Sequence, residues 1–196
     1  MQKTMVFIDY QNFNINMKKY VKSSKLELFN INFIKLSNEV TKHISLDAEL
    51  IKTFLFAHKP CDELLKLPYY KNHYNWLLSL NNTPYLEIVE GRQEIRSKTR
   101  GKNININDPS TFKTEEKGTD INLAINMLSK SYQNSLDVAV LVSGDTDYIP
   151  VAHALHQIGK IVVLASLPNQ NIDKYKGVYD EHIKIDMNML NNVKTK

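Results

Sequence analysis

Two carboxylates stand two residues apart in the stretch Ser143-Gly144-Asp145-Thr146-Asp147, directly after the apolar run "DVAVLV". Like charges this close repel and gain nothing from burial. Either solvent screens them or a cation sits between them. Aspartate oxygens are the ligands a hard divalent ion prefers. Two further acids follow the same logic. Asp9 ends the apolar run of "TMVFIDY", and Asp120 stands in "EEKGTDINLA" where a helix should begin. For Asp120 taken alone, capping and the helix dipole are a sufficient reason.

These acids need elements to position them. "TMVFIDY" (4–10) predicts a buried strand with Asp9 at its carboxyl end. "QNFNINMKKYV" is expected to be loop turning into helix, and 30–43 an amphipathic helix. Residues 48–59 form a second strand candidate. Residues 62–82 carry a helical pattern that Pro68 should break in two, and 84–95 form a third strand candidate that can run on into an arginine patch. Residues 96–116 are polar and are expected to be a long loop, the longest in the chain, with the basic part starting at 92. A helix over 117–133, a fourth strand at "DVAVLVS", a helix ending at Gly159, and a fifth strand at "KIVVLAS" follow. A short helix and a last edge strand complete the chain.

Alternating strands and helices predict an α/β fold with a mainly parallel sheet of about five to six strands. Continuous apolar strands such as "VAVLV" and "IVVLA" fit a sheet covered on both faces. In such sheets ligands bind beyond the carboxyl ends of the strands, at a topological switch point. If the first and fourth strands are neighbours, Asp9, Asp145 and Asp147 meet at one rim.

The 196 residues suit one domain, taken as 1–196, and their 42% hydrophobic and 23% charged content is that of an ordinary globular chain. The lone Cys61 cannot form an internal disulfide, which fits a reducing compartment. No apolar run approaches the ~18 residues of a membrane span, and the run before Asp9 is too short for a signal peptide, so a cytoplasmic location is expected. The histidines do not have zinc-site spacing. Tyr69, Tyr70, Tyr74 and Trp76 form an aromatic stretch suited to core packing or dimer contact, or, more sharply, to base stacking.

The net charge of +4 is compatible with nucleic acid without requiring it. Its distribution says more. The arginines are Arg92, Arg96 and Arg100, all within "GRQEIRSKTRGK", with Lys98 and Lys102 beside them. Spacing of four places them on one face of a strand. A solvated charged loop is one reading. A phosphate-contacting arm is the other, because arginine offers phosphate a planar fork of donors.

"MVFIDYQNFN", "EEKGTDINLAINML" and "DVAVLVSGDTDYIPVAHALHQIGKIVVL" together resemble, in order, the three motifs of the NYN domain family, within the PIN-like superfamily of metal-dependent nucleases. The matching motifs run from about residue 4 to 166, within a core taken as about 4–186. The resemblance implies a Rossmann-like α/β/α sandwich whose acids bind Mg²⁺ or Mn²⁺ and cleave phosphodiesters, usually in RNA. By position the implied catalytic and metal-binding acids are Asp9, Asp120, Asp145 and Asp147, with Asn12, Ser143 and Lys117 in support. Asn126 stands where family members often have a further acid, keeping an oxygen acceptor without its charge. The resemblance leaves room for a homodimer, and for an antitoxin or other protein partner that one chain does not identify. The high Asn, Lys and Ile content suggests an AT-rich, bacterial genome.

Three functions were compatible with these residues. The first is a metal-dependent ribonuclease, with substrate between the acids and the basic arm. The second is a nucleic-acid or protein-binding module of the same fold without catalysis, which Asn126 and the modest charge favour. The third is a phosphohydrolase acting through Asp9, but position 11, where a second acid would be needed, is Gln11.

Overall fold

The computed structural model describes residues 1–99, 101 and 103–195. Seven strands form one sheet: β1 (Gln2–Asp9), β2 (Ala48–Pro60), β3 (Leu86–Ser97), β4 (Phe112–Lys117), β5 (Val138–Val142), β6 (Ile161–Ser166) and β7 (Glu181–Lys184). Their order is β4-β3-β2-β1-β5-β6-β7. Every neighbouring pair is parallel except β3 and β4.

The helices are α1 (Tyr10–Ser23), α2 (Phe33–Lys42), α3 (Asp62–Leu65), α4 (Pro68–Ser79), α5 (Thr119–Tyr132), α6 (Ile149–Gln157) and α7 (Met187–Asn192). They cover both faces of the sheet, so β5 is apolar at every position and β1 is apolar from Met5 to Ile8. Within β1, Val6 and Ile8 point into a core built with α1, α2, α4 and α7. Met5 and Phe7 point into a second core built with α5 and α6. Side chains alternate along a strand, so consecutive apolar residues serve opposite layers. Burying each large side chain contributes about 1.5–3 kcal/mol. The Phe7 ring stacks on Phe54 at 5.2 Å between centroids. This is the expected three-layer α/β/α sandwich.

β1 and β5, the first and fourth strands expected from the sequence, are neighbours. Chain order runs outward from this pair in both directions, so the switch point lies between them. Pro68 does break the pattern over 62–82: α3 ends at Leu65 and Pro68 opens α4, at the helix start where its missing N–H costs nothing.

The expected long loop over 96–116, and the basic loop from 92, are corrected. β3 continues to Ser97, and β4 returns antiparallel beside it from Phe112 to Lys117. The connection is therefore 98–111. β4 was missed because "FKTEEK" has a single buried residue, Phe112, and no apolar alternation. It is an edge strand held by ladder hydrogen bonds and cross-strand charges. The expected loop after Asp9 is also corrected, since α1 begins at Tyr10 with Asp9 as its N-cap.

Candidate active site at the sheet switch point

Asp9 lies at the end of β1 and is 5% exposed. As the N-cap of α1 its Oδ1 accepts a hydrogen bond from the Asn12 amide at 3.1 Å. Its Oδ2 accepts one from the Ser143 hydroxyl at 3.0 Å. Burial, followed by the charges of Asp120 and Asp145, pushes the Asp9 carboxyl up to about 6 against those two hydrogen bonds. Asparagine or serine would cap the helix equally well with no buried charge. A capping role therefore does not account for an acid here.

Around Asp9 a polar network joins three elements. The Ser143 hydroxyl, which donates to Asp9, accepts from the Asp145 amide at 3.2 Å. Asp145 Oδ1 accepts from the Asp147 amide at 3.0 Å and so closes the turn after β5. Asn12 Oδ1 accepts from the Gly144 amide at 2.9 Å and from Gln170 Nε2 at 2.8 Å. Gln170 in turn accepts from the Leu167 amide at 2.9 Å, which ties in the loop after β6. Gly144 is required by this packing: a Cβ there would lie 2.0 Å from Gln170 Nε2.

Asp120 enters from the other face of the sheet, in the first turn of α5. Gly118 just before it has φ of 82°, a left-handed conformation that favours glycine, and this turns the chain from β4 into the helix. The buried Tyr148 hydroxyl donates to Asp120 Oδ1 at 3.1 Å. Burial and the charges of Asp9, Asp120 and Asp145 raise the phenol far above its ordinary value, so it remains a donor. Tyr148 thus sits among three carboxylates drawn from β1, α5 and the turn after β5.

The structure therefore brings together Asp9, Asn12, Ser143, Asp120 and Asp145. Asp147 is exposed on the turn. Asn126 lies 600° further around α5 than Asp120, hence on a different face, and its amide donates to the Asn122 carbonyl at 2.9 Å. Lys117 Nζ lies 3.4 Å from Glu94, an acid of the hairpin. Arg96 lies 3.2 Å from Glu115 and 3.6 Å from Glu94. Lys98 donates to the Pro109 carbonyl at 3.0 Å. Arg92 is exposed and, among the described residues, has no carboxylate partner. Arg100 and Lys102 lie outside the described residues.

Among the described residues no group of three or more His, Cys, Asp and Glu is gathered tightly enough to hold an ion. The acids are not a closed cage. The donor set is nevertheless all oxygen, and Mg²⁺ keeps most of its waters and binds through one or two carboxylates. Buried Asp9 with Asp145 or Asp120 beside it fits an open site of that kind.

A cavity of about 490 Å³ opens at Asp145. Its walls are Asn12, Asn16, Asn169, Gln170, Lys174 and Tyr175 among others, and no described residue of the hairpin lines it. The Tyr175 hydroxyl is buried and, among the described residues, has no hydrogen-bond partner. Sequence reasoning missed Tyr148, Gln170 and the 169–175 loop. Tyr148 had a signal in its position directly after Asp147. A loop glutamine had none.

An open, mainly parallel α/β sheet with carboxylates converging at its switch point is the architecture of a PIN-like nuclease fold. The chain belongs to the NYN domain family, a family of PIN-like nucleases, whose model matches residues 3–186. A crystal structure of a protein of unknown function from Vibrio parahaemolyticus is similar in fold. It is 14% identical, the match covers 99% of this chain and 96% of that one, and the TM-score is 0.59. No curated protein matches the chain. No helix among the described residues is long and apolar enough to cross a membrane.

Proposed function

We propose that the protein is a metal-dependent ribonuclease that cleaves phosphodiester bonds within RNA. The observation that carries this is buried Asp9, held ionisable at the switch point beside Asp120 and Asp145 at considerable electrostatic cost. Asp9 and Asp145 would hold Mg²⁺ or Mn²⁺, with Asp120 placed to share the ion or a second one. When bound, the ion would supply charge neutralisation at the phosphate and a water of lowered pKa. Asn12 and Ser143 fix the orientation of Asp9 and the Gly144 turn. Tyr148 holds one oxygen of Asp120. The amide-lined groove at Asp145 would receive the strand, with Lys174 available to a phosphate oxygen. Arg92 offers a further phosphate contact at the end of the β3–β4 hairpin.

The test is cleavage of labelled single-stranded RNA by wild type and Asp145→Asn, with Mn²⁺, Mg²⁺ or EDTA. Metal-dependent cutting lost in the variant is the expected result. RNA bound but uncut under every condition would favour the second reading, a binding module of the same fold. That reading draws on the absence of a tight three-acid group among the described residues and on Asn126.

A further inference from the structure

The opposite face of α1 lines a second cavity. Asn12 and Asn16 face the groove at Asp145. Tyr10, Phe13, Asn14, Met17 and Lys18, at helical spacings of three and four, face a separate cavity of about 310 Å³. That volume lies at the lower end of small-molecule sites, about 300–1,000 Å³. Tyr10 directly follows Asp9, so the two cavities flank the same helix start.

The walls of this cavity are aromatic. The His73 ring stacks on Trp76 at 5.4 Å and 28°, and on Tyr10 at 5.7 Å and 25°. Phe33 closes the cluster edge-on to Tyr10 at 5.9 Å. Side-chain amides of Asn14 and Asn30 also line it, and among the described residues neither amide has a hydrogen-bond partner. Among the described residues Lys18 stands on its rim without an ion pair and no carboxylate lines the cavity. An aliphatic ligand would desolvate the two amides for nothing. A flat ring with polar edges matches both features: its face meets the rings and its edge meets groups that donate and accept. The lysine and the lack of carboxylates suit a ligand carrying phosphate. Burial, then the charges of His58 and Lys18, hold His73 below its ordinary value, which disfavours a charged ring in the stack.

We propose that this cavity is a base-binding subsite that takes one unstacked nucleobase of a single-stranded RNA between the His73–Trp76 wall and the Asn14 and Asn30 amides. It rests on the ribonuclease reading only in taking RNA as the ligand. It requires neither metal nor cleavage.

Trp76 is the chain's single tryptophan, so its emission reports on this cavity alone. The experiment titrates the protein, in EDTA, with a uridylate hexamer and with a hexamer of abasic ribose phosphates, following Trp76 fluorescence. The uridylate hexamer is expected to change the emission saturably and the abasic one is not. His73→Ala should weaken binding about 5- to 100-fold, the loss that removal of a stacking partner brings. Asn14→Leu, at a partly exposed position that does not threaten the core, should do the same by filling the cavity mouth. RNA that binds in a gel-shift assay without altering Trp76 would overturn the proposal. So would an equal response to the abasic hexamer, no response to either, or an undiminished one in Asn14→Leu. If no RNA is cut with Mn²⁺ but the Trp76 response persists, the nuclease reading fails and the subsite stands.

Discussion

The acidic rim and the β3–β4 hairpin are the two charged regions of this molecule, and they spend charge in opposite ways. At the rim, Asp9 is buried, and its two oxygens are each committed to one donor while two other carboxylates push against it. Across the hairpin, like charges face each other directly: Arg92 opposite Lys117, Glu94 opposite Glu115 and Arg96 opposite Lys113. Directly opposed like charges are unfavourable. The diagonals relieve them, with Lys117 near Glu94 and Arg96 near Glu115. The charge of Asp9 is held where solvent screens it poorly, with Asp145 half-buried and Asp120 exposed beside it. On the described hairpin Arg96, Lys113 and Lys117 are paired with acids at the surface, where such pairs contribute about 0–1 kcal/mol. A local density of arginines in sequence is thus poor evidence of a free basic surface, whereas an acid ending an apolar strand is good evidence of an exceptional site.

The strongest way to break this contrast is to remove the charge at the rim. Loss of residues that merely orient a metal ligand typically costs 10–100-fold, so Asp9→Asn should lower metal-dependent RNA cleavage by at least about 100-fold. The same substitution should change stability in the other direction. The Asp9 carboxyl rises from 3.8 to about 6 on folding. The native state therefore binds the proton more tightly than the unfolded chain. The contribution of this group to stability is greatest below pH 4, falls as pH rises to about 6, and stays reduced above it. The penalty is on the order of 3 kcal/mol, at about 1.4 kcal/mol per pKa unit. In EDTA, Asp9→Asn should flatten this decline and stabilise the protein at pH 7.5 by about 1–2 kcal/mol, less than the full penalty because an amide nitrogen cannot accept a hydrogen bond. Urea denaturation at pH 4.5 and 7.5 measures both slopes. A variant less stable than wild type at pH 7.5 would mean that Asp9 is structural.

A double-mutant cycle sharpens the rim itself. Gly144→Ala forces Gln170 from its place, breaking its bonds to Asn12 and to the Leu167 amide, and should cost about 1–3 kcal/mol. In a Gln170→Ala background the three atoms nearest the added methyl are gone. The two losses should then fall short of additivity by about 1 kcal/mol or more, as expected for residues in contact. Additive losses would show that Gln170 does not constrain the turn after β5.

What could be read in advance follows the same division. The sandwich was legible because "VAVLV" and "IVVLA" are apolar on both faces, and Asp9 and Asp145 were placed by strand ends alone. Gln170 contacts Asn12 from 158 positions away, and nothing in the local pattern of a loop glutamine encodes that. The cavity between α1 and α4 needs Tyr10 and His73, 63 positions apart, and the aromatic stretch near Trp76 disclosed only half of it. β4 was hidden by its polarity. Local periodicity encodes the elements, while contacts made by single polar side chains across the fold leave no periodic trace.

The smallest expected effects lie on the hairpin, where they separate free charge from paired charge. Arg96 already holds Glu94 and Glu115. Arg96→Ala removes a cation already committed to acids, while Glu94 keeps Lys117 and Glu115 keeps Lys113, and should change RNA affinity by less than about 2-fold, the scale of an exposed pair. Arg92 sits midway along β3, at the end of its pairing with β4 opposite Lys117, and, among the described residues, answers to no acid. Losing one phosphate contact also removes one released counterion. Arg92→Ala should therefore weaken binding several-fold at low salt and reduce the slope of log K against log salt by about 1. Filter binding across 50–200 mM salt distinguishes the two. Equal losses for Arg92 and Arg96 would mean that RNA competes the hairpin's own ion pairs apart, making the whole strand face a binding surface.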